Sequence, residues 1–177
     1  MLYSNICLVF LTILQSVKSL NVCSRRQACG AVLNSYPQME DDSSGWGSGM
    51  GPPLYDELLS HDVFDYSQNP EAQQKELCLC QNNETCPFGD ESKMLSIDRM
   101  ITMTFCDDVS KQLSTVCPRY QNVARVIGAP HPNFPAGETL QSVSDTMVFC
   151  QCPGGYRKLS TVNYWGNGEI YFEYQCF

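Results

Sequence analysis

Cys150-Gln151-Cys152-Pro153-Gly154-Gly155-Tyr156, answered at the end of the chain by Tyr171-Phe172-Glu173-Tyr174-Gln175-Cys176, decides how the rest of the sequence is read. Successive side chains of an extended strand leave opposite faces, so Cys150 and Cys152 project from the same face and need two different partners. Such a strand is anchored twice. The same device stands earlier at Cys78-Leu79-Cys80. Leu-Cys-Leu-Cys and Phe-Cys-Gln-Cys look like corresponding positions of two related lobes, although the spacings that follow them differ.

Period-two alternation marks the strands around these anchors. Ile170, Phe172, Tyr174 and Cys176 share one face and Tyr171, Glu173 and Gln175 the other, so Cys176 is expected inward with the aromatic set. This strand closes a hairpin over 156–164 and 169–176 around Gly166-Asn167-Gly168. Ile97, Ile101, Met103 and Phe105 face away from Asp98, Thr102 and Thr104, predicting a strand that ends at Cys106. Short strands are also expected over 113–117, 122–127 and 146–152. Gly128 to Gly137 is expected to be a proline-rich loop, in which His131 lies between Pro130 and Pro132 and reads as a plain loop residue.

The first nineteen residues hold an apolar core, Ile6 to Leu14, too short to span a bilayer as a helix, and Val17 and Ser19 suit a signal-peptidase site. Reading 1–19 as a removed signal also removes Cys7, one of eleven cysteines. That leaves ten: Cys23, Cys29, Cys78, Cys80, Cys86, Cys106, Cys117, Cys150, Cys152 and Cys176. An even number behind a signal implies five disulfides made in an oxidising compartment. Ten cysteines pair in roughly 945 ways, so the connectivity stays open. A zinc site would want C-x2-C or C-x4-C pairs near histidines, so no metal or other cofactor is expected.

The formal charge is −8, or −9 once Lys18 leaves with the signal, which disfavours nucleic acid and anionic membranes as partners. Much of the acidity lies between Pro37 and Asn69: Glu40, Asp41, Asp42, Asp56, Glu57, Asp62 and Asp65, with no Lys, Arg or Cys. Gly, Ser and Pro make this an irregular acidic insert, with a short amphipathic helix expected over 54–64. Tyr55 and Tyr66 stand beside acids, as sulfated tyrosines do, although a plain solvated linker is the simpler reading. Arg25-Arg26 is a basic pair that would suit processing only if a disulfide retained Cys23.

These features predict a small all-β, disulfide-rich fold of short antiparallel hairpins in one or two cysteine-stapled lobes. The expected division is signal 1–19, cysteine flap 20–36, acidic linker 37–75 and cysteine-rich β domain 76–177. No H-E-x-x-H, G-x-S-x-G or P-loop occurs, and bridged cysteines leave no nucleophilic thiol, so catalysis is not expected. Binding is. Tyr156, Arg157, Lys158, Tyr164 and Trp165 mix cations with aromatics on the closing hairpin, as protein-binding surfaces do, with Arg119 and Arg125 a second candidate. Asn83-Glu84-Thr85 is a glycosylation acceptor in a polar loop.

The ordered set C-x5-C-G, acidic gap, C-x-C-x5-C-P, F-C, V-C-P, C-x-C-P-G-G-Y and terminal Y-x-C resembles the centipede venom scoloptoxin group eleven. Its framework is also similar to secreted antagonists of the Argos (giant-lens) type. The first resemblance implies a secreted toxin, some of whose relatives act on voltage-gated potassium channels. The second implies an extracellular antagonist that clamps a growth factor. The expected product is a non-enzymatic monomer that binds an extracellular channel, receptor or ligand without entering a membrane.

Overall fold

The computed structural model describes residues 20–39, 64–133 and 139–177. The expected signal, residues 54–63 of the expected helix, Tyr55 and His61 lie outside them; Phe64, the last residue of that helix, is instead in an extended bridge to Gln38. The described chain forms two antiparallel sheets. The first comprises β1 (Gly30–Ser35), β2 (Glu71–Glu76), β3 (Met94–Ser96) and β4 (Ile101–Thr104), in the order β2-β1-β4-β3. The second comprises β5 (Asn122–Pro130), β6 (Leu140–Val148), β7 (Tyr156–Lys158), β8 (Asn163–Tyr164) and β9 (Ile170–Cys176), in the order β6-β5-β9-β7, with β8 also on β9.

Strand for strand, the two orders are the same, and the cysteines make the correspondence covalent. Cys78 and Cys80 pair with Cys23 and Cys106; Cys150 and Cys152 pair with Cys117 and Cys176. In each case the middle residue of C-x-C bridges in parallel to the residue preceding the first cysteine, Leu79 to Val22 and Gln151 to Val116. Even the hydrogen bonds repeat: Cys23 N donates to Leu79 O at 2.8 Å, and Cys117 N to Gln151 O at 2.8 Å. Leu77 N donates to Cys29 O and Phe149 N to Val123 O, which puts Val123 where repeat one has Cys29. Cys29 pairs with Cys86, a fifth bridge with no counterpart in repeat two. Both C-x-C segments lie just past a strand, β2 ending at Glu76 and β6 at Val148 short of the expected Cys152, and each reaches two partners through its two cysteines.

The same correspondence explains the acidic insert. The β1–β2 hairpin of repeat one matches the β5–β6 hairpin of repeat two, so residues 36–70 are its connection. Its base is zipped: Asp65 N donates to Pro37 O at 2.8 Å, Gln38 bridges Phe64, and Tyr36 meets Tyr66 edge-on with centroids 4.9 Å apart. Tyr66 is half-buried there beneath the Arg99 guanidinium, 4.8 Å from its ring centre. β2 starts at Glu71, inside the stretch expected as linker, because backbone pairing to β1 carries a segment with almost no buried side chain.

Other boundaries move for local reasons. The strand expected from Ile97 begins only at Ile101, because the Asp98 carboxylate accepts from Met100 N and Ile101 N, both at 2.8 Å, and holds a turn. Thr104, expected on the polar side, is fully buried where its carbonyl faces the Cys29 sulfur. Residues 109–112 make one helical turn where a strand was expected nearby, and Val116 keeps only its isolated bridge. β6 begins at Leu140, six residues before the expected start, in a polar run recruited by pairing with β5.

Among the described residues the larger core draws on both sheets, with Ala31, Leu33, Ile101, Met103 and the adjoining Phe105 from the first and Val126, Val148, Phe172 and Tyr174 from the second, and a smaller cluster gathers Cys29, Cys78, Cys80 and Cys86. Each large side chain there contributes roughly 1.5 to 3 kcal/mol by burial. Polar contacts lock the repeats together: Ala28 N donates to Thr146 Oγ1 at 3.0 Å, Val148 N to Arg26 O at 2.8 Å, and the Tyr174 hydroxyl to Asp98 Oδ2 at 2.8 Å.

Burial, and then the Asp98 charge, push the Tyr174 hydroxyl well above the usual 10.0, and burial also raises Tyr156. Both phenols hold their protons in the folded chain at pH values where the unfolded chain loses them. Their contribution to stability is therefore complete below the unfolded value of 10.0 and lost as pH rises through the folded values. Urea midpoints measured from about pH 8 to about pH 11 are expected to fall above pH 10, and to fall less in Tyr174→Phe. Equal slopes in the two proteins would remove Tyr174 as the cause.

Candidate protein-binding face

The inward residues of β9 leave Tyr171, Glu173 and Gln175 on its outer face, and cross-strand registry fixes what stands beside them. Arg125 is opposite both Glu173 and Met147. Arg157 is opposite Gln175, and Asn163 opposite Tyr171. A connected row results. The Trp165 ring meets Tyr171 edge-on at 5.7 Å, and the Arg125 guanidinium lies 4.5 Å from the Tyr171 ring centre. Arg125 Nη2 donates to Glu173 Oε1 at 2.8 Å, Asn122 Nδ2 donates to Glu173 Oε2 at 2.8 Å, and Gln175 Nε2 donates to Asn122 Oδ1 at 3.1 Å.

Each contact is modest, about 0.5 to 1 kcal/mol for a partly exposed ion pair or cation–π pair. Their joint effect is to hold the side chains in one arrangement before any partner arrives, which lowers the ordering cost of association. Trp165 is presented by a tight turn in which Trp165 N donates to Glu169 O at 2.7 Å and Asn167 and Gly168 adopt positive φ. It keeps 47% of its surface exposed, and Tyr164 keeps 79%. Met147 on β6 and Phe149 just beyond its end extend the apolar surface, with Arg26 lying 5.1 Å from the Phe149 ring centre.

The five residues anticipated on this hairpin divide. Arg157, Tyr164 and Trp165 are exposed. Tyr156 is 7% exposed and faces inward, its hydroxyl accepting from Cys152 N and donating to Cys150 O, both at 3.2 Å, so it braces the C-x-C segment. Lys158 sits with Nζ 4.6 Å from the Phe172 ring centre and covers the edge of the core. Of the second cationic pair, Arg125 is central to the row and Arg119 lies in an exposed turn. Tyr171, Glu173 and Gln175 were legible as a shared face but not as part of the site; Arg26, Met147 and Phe149 carried no local signal.

Elsewhere, the Arg25 and Arg26 carbonyls accept from Gln112 Nε2 at 3.1 Å and Val148 N at 2.8 Å, so this basic pair is tied into the repeat junction. Asn83 is exposed. Cys23, Cys80 and Cys106 bring three sulfurs together, as do Cys117, Cys152 and Cys176 at the equivalent place, but all six are spent in disulfides and offer no thiolate to a metal. His131 Nδ1 accepts from Asn133 N at 3.3 Å. Among the described residues, no helix is long and apolar enough to cross a membrane.

No family model matches this sequence, and no curated protein matches it, venom proteins included. Among solved structures the chain is similar to the crystal structure of unliganded Argos, with 17% identity and a TM-score of 0.44. The alignment covers 89% of this chain and 57% of that one, so this chain spans little more than half its length.

Proposed function

We propose that this chain is an extracellular, non-catalytic binding protein that antagonises signalling by capturing another extracellular protein on the outer face of its second sheet. The observation that carries the reading is the connected row Trp165–Tyr171–Arg125–Glu173, prearranged on a strand anchored by Cys176. Aromatic and Arg side chains set on a rigid frame are the usual energetic centre of a protein interface. Five disulfides support folding in an oxidising compartment.

Two cations of the region are engaged, Arg125 by Glu173 and Lys158 over Phe172. That engagement favours contact with a folded protein surface over insertion of a lone cation into a channel pore. The partner is expected to be retained from extracellular fluid by the wild-type oxidised protein and lost by roughly 10- to 30-fold in affinity when Tyr164 and Trp165 are both alanine. A Val22→Ala control, on an exposed residue of repeat one, should bind as the wild type does. Undiminished capture by the double variant would reject this face. Suppressed receptor activation with potassium currents unchanged supports antagonism, and current block with signalling intact rejects it.

A further inference from the structure

The two repeats differ at one end in a way the binding face does not use. After Cys152, repeat two turns through Pro153-Gly154-Gly155; after Cys80, repeat one turns through Gln81-Asn82-Asn83-Glu84-Thr85 to Cys86. That turn is closed by Cys80 N donating to Glu84 O at 3.0 Å and is held on both sides by Cys80–Cys106 and Cys29–Cys86. Residues 81–85 are all exposed, and both Asn82 and Asn83 take positive φ, 61° and 60°, a conformation that suits asparagine. Gln81, Asn82 and Glu84 line a cleft with Arg25, Lys111 and the Cys23 and Cys106 bridges, whereas Asn83, between them, is not part of its wall. A group attached at Asn83 therefore rises at the cleft's rim.

We propose that Asn83 carries an N-linked oligosaccharide that shields this cleft, leaving repeat two as the uncovered half of the molecule. In the transfer, Asn83 Nδ2 bonds to the first sugar's C1 as that carbon's bond to a polyprenyl-diphosphate donor breaks; the lipid diphosphate leaves and the amide gives up one proton. Thr85 supplies the hydroxyl that completes the acceptor motif. The inference needs export of the chain but not the binding face, so the two fail separately.

The full chain, secreted from a eukaryotic host, is weighed before and after treatment with peptide N-glycosidase F. The expected result is a loss of mass equal to a whole glycan with Asn83 converted to Asp, and no such loss in Asn83→Gln or Thr85→Ala. Secreted protein with unmodified Asn83, a glycan that survives in Asn83→Gln, or a chain retained in the cytosol overturns the assignment. Shielding is read from amine labelling. Lys111, whose side chain is 77% exposed, should react several-fold slower in the glycosylated form than after enzymatic removal, while Lys75 on β2 reacts alike in both. Equal rates at Lys111 overturn the shielding.

Discussion

Alanine at both Cys152 and Cys176 is expected to lower stability by roughly 3 to 4 kcal/mol, the entropy released when a loop of about 25 residues is no longer closed. The bridge spans a sequence separation of 24 and pins β9, which lies between β5 and β7 and puts Ile170, Phe172, Tyr174 and Cys176 into the core. No other disulfide holds that strand. Because Tyr171 and Glu173 belong to it, loss of the bridge should also weaken the outer face, and partner binding should fall together with the urea midpoint. Removing Cys29 and Cys86 in the same way is expected to cost less, about 3 kcal/mol at most. Cys23–Cys78 already closes most of that loop, and repeat two keeps its fold with Val123 in place of Cys29. Its binding should be unchanged. The opposite ranking, in urea and in binding, would contradict the equivalence of the repeats.

Gly128→Ala should be the most damaging small substitution in the second sheet. Gly128 lies in β5 between β6 and β9, beside a register shift, and a Cβ there would collide with the Ser142 carbonyl oxygen and stand 3.2 Å from Leu140 Cδ1. The obstacle is backbone of a paired strand. It cannot swing aside as a side-chain tip would, so β6 must part from β5, at a cost of about 3 kcal/mol. Gly166→Ala is the matched control, since nothing lies within 4 Å of the added methyl. Its effect should stay within about 0.5 kcal/mol. Calorimetric melting of the two variants decides the matter: equal transition temperatures would mean that the β5–β6 spacing tolerates the methyl.

Local chemistry carried a good part of this fold. Alternation along Ile170–Cys176 was enough to sort its side chains into inner and outer sets, because every second residue of a strand faces one way and water separates apolar from polar. Two cysteines two apart required two partners for the same geometric reason. Such information ends where pairing begins. β2 and the first half of β6 have little apolar pattern of their own and are strands because β1 and β5 offer them unpaired backbone groups. Tyr156 looked like a contact residue from its neighbours Arg157 and Lys158, yet its hydroxyl finds the Cys150 carbonyl and its ring turns inward.

By itself, then, the order of residues determined the strand faces, the sulfur framework as a set of ten, and a cationic and aromatic C-terminal hairpin. Tertiary structure alone decided which sulfurs join, that the acidic insert extends one hairpin of a duplicated unit, and that Arg26, Arg125, Met147 and Phe149 belong to one surface. The physical reason is range. Side-chain alternation is a property of neighbours, whereas registry between strands depends on backbone groups far apart in the chain, and a surface assembled across four strands exists only once that registry is set.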